Sequence, residues 1–222
     1  MTNIPDIISE YYGRSVPSSP DKPMGTVLKQ EGQMRLAPDR NWMPFKASQY
    51  IYANHTEFHW QAKFKMAPLI FGTVVDAFQN KSGRLDAKIW GFIPVARGRG
   101  ADIDRGEIQR YLAELVWCPM AFLHNSELYY RQLSDSLVRV WAFEEDTYID
   151  LNFNDEGDII GAKTNTRVRD NSPQHWEGKF YDFKEFGEIR IPSKGEVCWE
   201  TPEGPFVYWK GSITSIEWQE IE

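Results

Sequence analysis

Asp102, Asp104, Glu107, Arg110 and Glu114 lie in one short stretch and carry the groups from which a cation site or an acid–base pair is built. Asp102 and Asp104 could offer oxygen ligands to a hard cation. The stretch lacks the D-x-D-x-D-G spacing of a calcium loop. Asp104 followed by Glu107 three residues later also has the form of a capping box, which accounts for both carboxylates by helix capping alone. Arg110 and Glu114 are a different case. They stand at i,i+4, off the apolar stripe of the helix described below. If protein surrounds the helix on that side too, the pair must be mutually satisfied or it marks a site.

Histidine and cysteine offer less. His55 and His59 are four apart in an extended segment, which separates them by roughly 13 Å. His124 could act as a general base, and Cys118 beside it is a conceivable dyad, against the simpler reading of a buried thiol next to Pro119. No G-x-S-x-G, G-x-G-x-x-G or Walker A sequence occurs. Arg97-Gly98-Arg99-Gly100 is a basic loop that could hold an anion near the N-terminus of the following helix. Cys118 and Cys198 read as buried free thiols, without a disulfide framework or the partners a zinc site needs. No cofactor is expected. The aromatic content of 14% leaves a further candidate: Trp60, Phe64, Trp90, Tyr111, Trp117 and Trp141 could line an apolar pocket, or simply fill a core.

The element that would position most of these groups is a helix over about 104–117. Ile108, Tyr111, Leu112 and Leu115 fall at i, i+3, i+4 and i+7, one stripe of 3.6-residue period, and Pro119 ends the run. Nearly everything else has the period of two. Phe58 to Met66 is the cleanest strand, with Phe58, Trp60, Ala62, Phe64 and Met66 on one face and His59, Gln61, Lys63 and Lys65 on the other. Similar runs begin near Thr26, Phe45, Leu69, Leu85, Leu128, Leu137, Thr147, Ile159, Trp176, Ile189, Glu196 and Phe206, separated by turn residues. Leu28, Met34 and Leu36 are expected on one strand face. Roughly a dozen strands in one open sheet would curl. The expected class is therefore mainly β (α+β): a strongly curved antiparallel sheet or half-open barrel around one central helix, plus a short N-terminal helix from Asp6. Residues 1–23 read as an arm and a Pro- and Ser-rich link, and 24–222 as a single domain.

The chain has 222 residues and a net charge of -7. That charge argues against nucleic acid as a partner and against simple adsorption to an anionic membrane. No apolar run reaches the ~18–20 residues of a membrane span. The N-terminal stretch has no basic n-region or apolar h-region, so the expected compartment is the cytoplasm.

Arg110-Tyr111-Leu112-Ala113-Glu114 with Trp117 and Pro119 resembles a bacterial family of unknown function. Phe64-Lys65-Met66-Ala67-Pro68, Gly91-Phe92-Ile93-Pro94-Val95 and the late segment from Trp199 to Trp218 are similar to it too. The resemblance runs from about Gly25 onward. Its overall pattern is similar to the half-barrel of bacterial lipoprotein carriers (LolA-like), which implies a sheet that holds lipid or acyl chains against helices.

Three functions compete. The first is a module holding an apolar or amphipathic small molecule between sheet and helix, against Trp60, Phe64, Trp90, Arg110, Tyr111, Glu114, Trp117 and Trp141. The second is a small-molecule hydrolase or isomerase using Arg110, Glu114 and His124. The third is a structural or interaction protein, a homodimer docked through the N-terminal arm.

Overall fold

Residues 4–17 and 23–220 are described by the structure, a computed structural model. A single antiparallel sheet of 13 strands makes up most of it. The first half is a meander: β1 (Pro23–Met34), β2 (Met43–Tyr52), β3 (Phe58–Ala67), β4 (Ile70–Gln79), β5 (Ser82–Ile89) and β6 (Ile93–Gly98). The second half returns as β7 (Leu128–Ser134), β8 (Leu137–Ala142), β9 (Tyr148–Phe153), β10 (Ile159–Arg169), β11 (Ser172–Phe186), β12 (Ile189–Thr201) and β13 (Gly204–Glu220). β13 closes onto β1, with Leu28 opposite Ile216 and Gly32 opposite Gly211. β6 and β7 are thus the two open edges.

Between those edges the chain crosses the concave side. It does so as α2 (Ala101–Glu114), a 3-10 turn at Leu115–Trp117 and α3 (Ala121–His124). Each strand is rotated against its neighbour in the same sense, so a meander this long wraps round rather than lying flat. α2 therefore meets strands of both halves, β4 and β5 on one side and β8, β9 and β10 on the other. Leu112, Leu115 and Val116 are completely buried between them.

A last helix, α1 (Asp6–Ser15), closes the structure from outside. Ile8 and Tyr11 enter the common core, and the Tyr11 hydroxyl donates to the Val116 carbonyl at 3.2 Å. Tyr11 also meets Phe122 and Phe153 edge-on, at 6.0 and 6.3 Å between ring centroids. The N-terminal helix thus docks on its own chain. The Pro- and Ser-rich link after it falls largely outside the described residues. No helix among the described residues is long and apolar enough to cross a membrane.

Several local expectations are corrected. α2 starts at Ala101, with Gly100 before it in the left-handed region at φ 104. Asp104 therefore lies inside the first turn and does not cap it. Its Oδ1 accepts the Gly83 N–H at 2.6 Å, which fastens the helix to the β4–β5 turn. Gly83 allows this close approach: a Cβ would lie 3.0 Å from the backbone of Ile103 and Asp104, tighter than an ordinary contact. Glu107, the supposed capping partner, is buried. Leu36 lies beyond β1 and is exposed rather than on its inner face. After Pro119 the chain takes one more helical turn, α3. Arg97 and Gly98 belong to β6, a strand that sequence alternation did not reveal. Arg99 is bound to Asp86 through two contacts of 3.1 Å, and so does not form an anion loop.

Candidate functional site

The concave face of β1–β4 carries polar residues among its aromatic ones. Trp60 faces Gln49 on one side and Asp76 on the other, in register, and Gln30 lies on the adjoining strand. α2 lowers Arg110 and Glu114 onto this row. The Arg110 guanidinium pairs with Asp76 through Nη1, and its Nε donates to Glu114 Oε1 at 3.0 Å. Gln49 Nε2 donates to the other oxygen of Glu114 at 2.5 Å. Gln30 Nε2 donates to Gln49 Oε1 at 2.8 Å, and Trp60 Nε1 donates to Gln30 Oε1 at 2.8 Å. The guanidinium also lies over aromatic rings, 4.8 Å from the centroid of Trp60 and 5.1 Å from that of Phe58. An arginine held by two carboxylates and two ring faces is fixed in place.

The electrostatics follow from the cover. Burial by itself would lower the pKa of Arg110, but Glu114 and Asp76 outweigh it and hold the guanidinium firmly charged. Glu107 lies one turn back, buried, with its carboxyl beside Asp76. Burial first, then the negative charge of Asp76, push its pKa well above the usual carboxylate range, against the opposing pull of Arg110. Glu107 Oε2 and Asp76 Oδ1 are both buried without another hydrogen-bond partner.

The proposed lining residues are distributed as follows. Trp60 lies under the Arg110 guanidinium and beside Phe64, while Tyr111 and Trp117 make their contacts elsewhere in the core; all four aromatic groups are buried. Phe64 packs on Phe45 at 5.4 Å, and Trp117 meets Phe180 edge-on at 5.6 Å while its Nε1 donates to the Pro192 carbonyl at 3.0 Å. The Tyr111 hydroxyl donates to the Tyr52 carbonyl and accepts from Asn125, both at 2.9 Å. Trp141 alternates with the buried Val138, Val140 and Ala142, so it lies on the convex face, stacked on Tyr129 at 5.8 Å. Trp90 is at the exposed β5–β6 turn. His124 packs against Tyr12 of α1, and among the described residues it shares no hydrogen bond or ion pair with Arg110 or Glu114. Burial lowers its pKa. Cys118 is buried, its thiol pushed up to about 12 by that burial, with Sγ 3.7 Å from the Ile51 carbonyl. Cys198 is buried and unpaired too.

Sequence reading missed Asp76, Gln30 and Gln49. Each occupies an inward position where alternation predicts an apolar residue, and that departure was the available signal. It also missed the half-buried wall that continues from the ion network. Val74 stands two residues from Asp76 on the same face, opposite Ala62. Trp209 stacks on Phe45 at 5.9 Å and meets Trp117 at 6.2 Å. Tyr208 accepts the Trp176 indole N–H at 2.9 Å and stacks on Trp199 at 6.2 Å. Its pKa is raised by burial and feels the charges of Arg167, Arg110 and Asp76. Val74, Trp199, Tyr208 and Trp209 all retain partial exposure. α2 thus covers the concave side at the ion network, and beyond it Val74, Trp199, Tyr208 and Trp209 stay half-covered. Two surface cavities of about 430 Å³ lie elsewhere, one between Gly161 and Tyr181, the other between Phe143 and the start of α2.

Fold and interior together define an open, curved antiparallel sheet wrapped round a crossing helix. The chain belongs to a family of unknown function (DUF6544), which it matches over residues 1–211. Its fold is LolA-like. It is similar to a LolA superfamily protein from Nitrosomonas europaea, with a TM-score of 0.54 and 9% identity over 100% of this chain and 96% of that one. It is equally similar, at 0.54 and 8% identity over 96% of this chain and 91% of that one, to a domain named for outer membrane lipoprotein sorting from Vibrio parahaemolyticus. No curated protein sequence matches the chain.

Proposed function

We propose that this protein is a binding module for an apolar or amphipathic small molecule. The ligand lies in the half-buried trough, against Val74, Trp199, Tyr208 and Trp209. Arg110 and Glu114 bound its inner end, with the buried Trp60, Phe64, Tyr111 and Trp117 as the rigid wall behind. Trp90 and Trp141 stand outside this lining. The observation that carries the reading is a concave face where large aromatic side chains remain half-covered although the core beside them is complete. Aromatic residues left so after folding gain further burial from a ligand. An acyl chain is the ligand chemistry that the lipoprotein-sorting relative suggests.

The enzyme reading has no comparable support, because His124 packs against Tyr12 and Arg110 is already saturated by carboxylates. A homodimer docked through the N-terminal helix would have to give up the seat that Ile8 and Tyr11 occupy in their own chain.

Native mass spectrometry of freshly purified protein tests the proposal. A co-purified small molecule, released on denaturation and absent from a Val74→Trp variant, is the expected result. A protein that carries nothing and takes up no fluorescent fatty acid would refute it.

A further inference from the structure

The strongest feature outside the trough is the pair of hairpin tips at the open end of β3–β6. Leu69 is 85% exposed, Phe92 71% and Trp90 53%, and Met66, Phe71 and Ile93 are exposed beside them. Singly exposed apolar residues need no explanation, but a contiguous group does. These are contiguous: Trp90 N–H donates to the Phe71 carbonyl at 2.8 Å, and its indole N–H donates to the Leu69 carbonyl at 3.1 Å. Leu69 and Trp90 also hold left-handed backbone, at φ 64 and φ 52. Glycine or asparagine adopts that conformation with less strain, and neither Leu69 nor Trp90 gains burial in return.

The patch wraps the tips instead of lying on one side. Ile93 pairs with Ile89 and Met66 lies against Gly72 on the concave face, while Phe71 pairs with Lys65 on the opposite one. A flat protein partner covers one face; a wedge that is apolar on both is covered by immersion.

Charge identifies the medium. The chain carries a net charge of -7, yet residues 63–99 hold seven basic and two acidic residues. Both acids are already paired, Asp76 with Arg110 and Asp86 with Arg84 and Arg99. Lys46, Lys63, Thr73 and Lys88 occupy one cross-strand row, with Lys65 two residues nearer the tip. Net charge argued against adsorption of the whole molecule, but the local distribution reverses that sign where the apolar tips are.

We propose that the β3–β4 and β5–β6 tips insert into an anionic lipid surface, with Leu69, Trp90 and Phe92 among the acyl chains and Lys63, Lys65 and Lys88 at the headgroups. The inference goes beyond the small-molecule reading and does not rest on it. Its test needs vesicles alone.

The full chain is co-sedimented with phosphatidylcholine vesicles and with vesicles made three to one in phosphatidylcholine and phosphatidylglycerol. Binding is expected to the anionic vesicles, weakening as salt is added. Lys63→Gln, Lys65→Gln and Lys88→Gln together should weaken it on the order of a hundredfold, roughly fivefold for each charge. Leu69→Ser with Phe92→Ser should abolish it at an unchanged melting temperature. Failure to bind anionic vesicles would overturn the proposal, as would binding that survives the double serine variant. So would a lipid-free dimer that the same variant splits into monomers, since the tips would then be a self-interface.

Discussion

Phe58 and Leu69 bracket the same strand and have opposite fates. Phe58, where β3 begins, is completely buried with the Arg110 guanidinium over its ring. Leu69, at the turn where β3 ends, is among the most exposed large apolar residues described. The strand between them alternates regularly from Phe58 to Phe64, so its local sequence does not set the difference. What differs is the cover. α2 crosses one end of the β1–β6 half and leaves the other bare. At the covered end even charged groups are enclosed and matched, as with Arg110, Asp76 and Glu114. At the bare end apolar groups stand on both faces without a match inside the molecule. The covered end is matched within the chain, and the bare end is where the proposed lipid contact falls.

The sharpest way to break that contrast is to disturb the covered end. Arg110→Ala leaves Asp76 and Glu114 enclosed without a counter-charge, and should destabilise the fold by about 3–5 kcal/mol in urea titrations. A loss below about 1 kcal/mol would mean the network is open to water. Gly83→Ala places a methyl group against the backbone of Ile103 and Asp104 and should cost about 1–3 kcal/mol, read as a fall in the urea midpoint.

Glu107 sharpens the comparison through pH. Its pKa is raised in the folded protein relative to the unfolded chain. The stabilisation from its buried neutral form is therefore full below the ordinary carboxylate pKa and is lost as pH rises toward the raised value. Glu107→Gln keeps the neutral form at every pH. Its stability should lack that decline, so the wild type and the variant should diverge above the ordinary carboxylate range. Parallel curves across the pH series would show that Glu107 ionises normally. At the bare end the smallest effect is expected: Leu69→Ser or Phe92→Ser should shift stability by no more than about 0.5 kcal/mol in the same titration.

What the sequence revealed follows the same division. The alternation of Phe58 to Phe64 is legible because one face of the strand is buried and the other more exposed, and the stripe Ile108, Tyr111, Leu112 and Leu115 because its apolar residues keep the helical period although the helix is buried on other sides too. The curved sheet followed from the number of such runs. Arg110 and Glu114 stand out in the sequence as charges on a helix that a curved sheet would surround. Glu107 did not, because its spacing from Asp104 imitates a capping box, and only the start of α2 at Ala101 shows otherwise. β6 escaped because it is exposed on both faces and contains Pro94, so no alternation marks it. Residue type alone does not place Trp141, because its neighbours Val140 and Ala142 take the inward positions. Asp76, Gln30 and Gln49 needed α2 in place before their inward direction made sense.

A ligand can enter only if the trough is open where the helix stops. Titration of an apolar naphthalene-based fluorophore into the wild type and into Val74→Trp tests this most directly, because Val74 lies on the trough wall beyond the complete core. Saturable binding at one probe per chain is expected in the wild type and its loss in Val74→Trp, with both proteins equally stable. Equal binding by the two, or loss in the Leu69→Ser, Phe92→Ser protein instead, would contradict it.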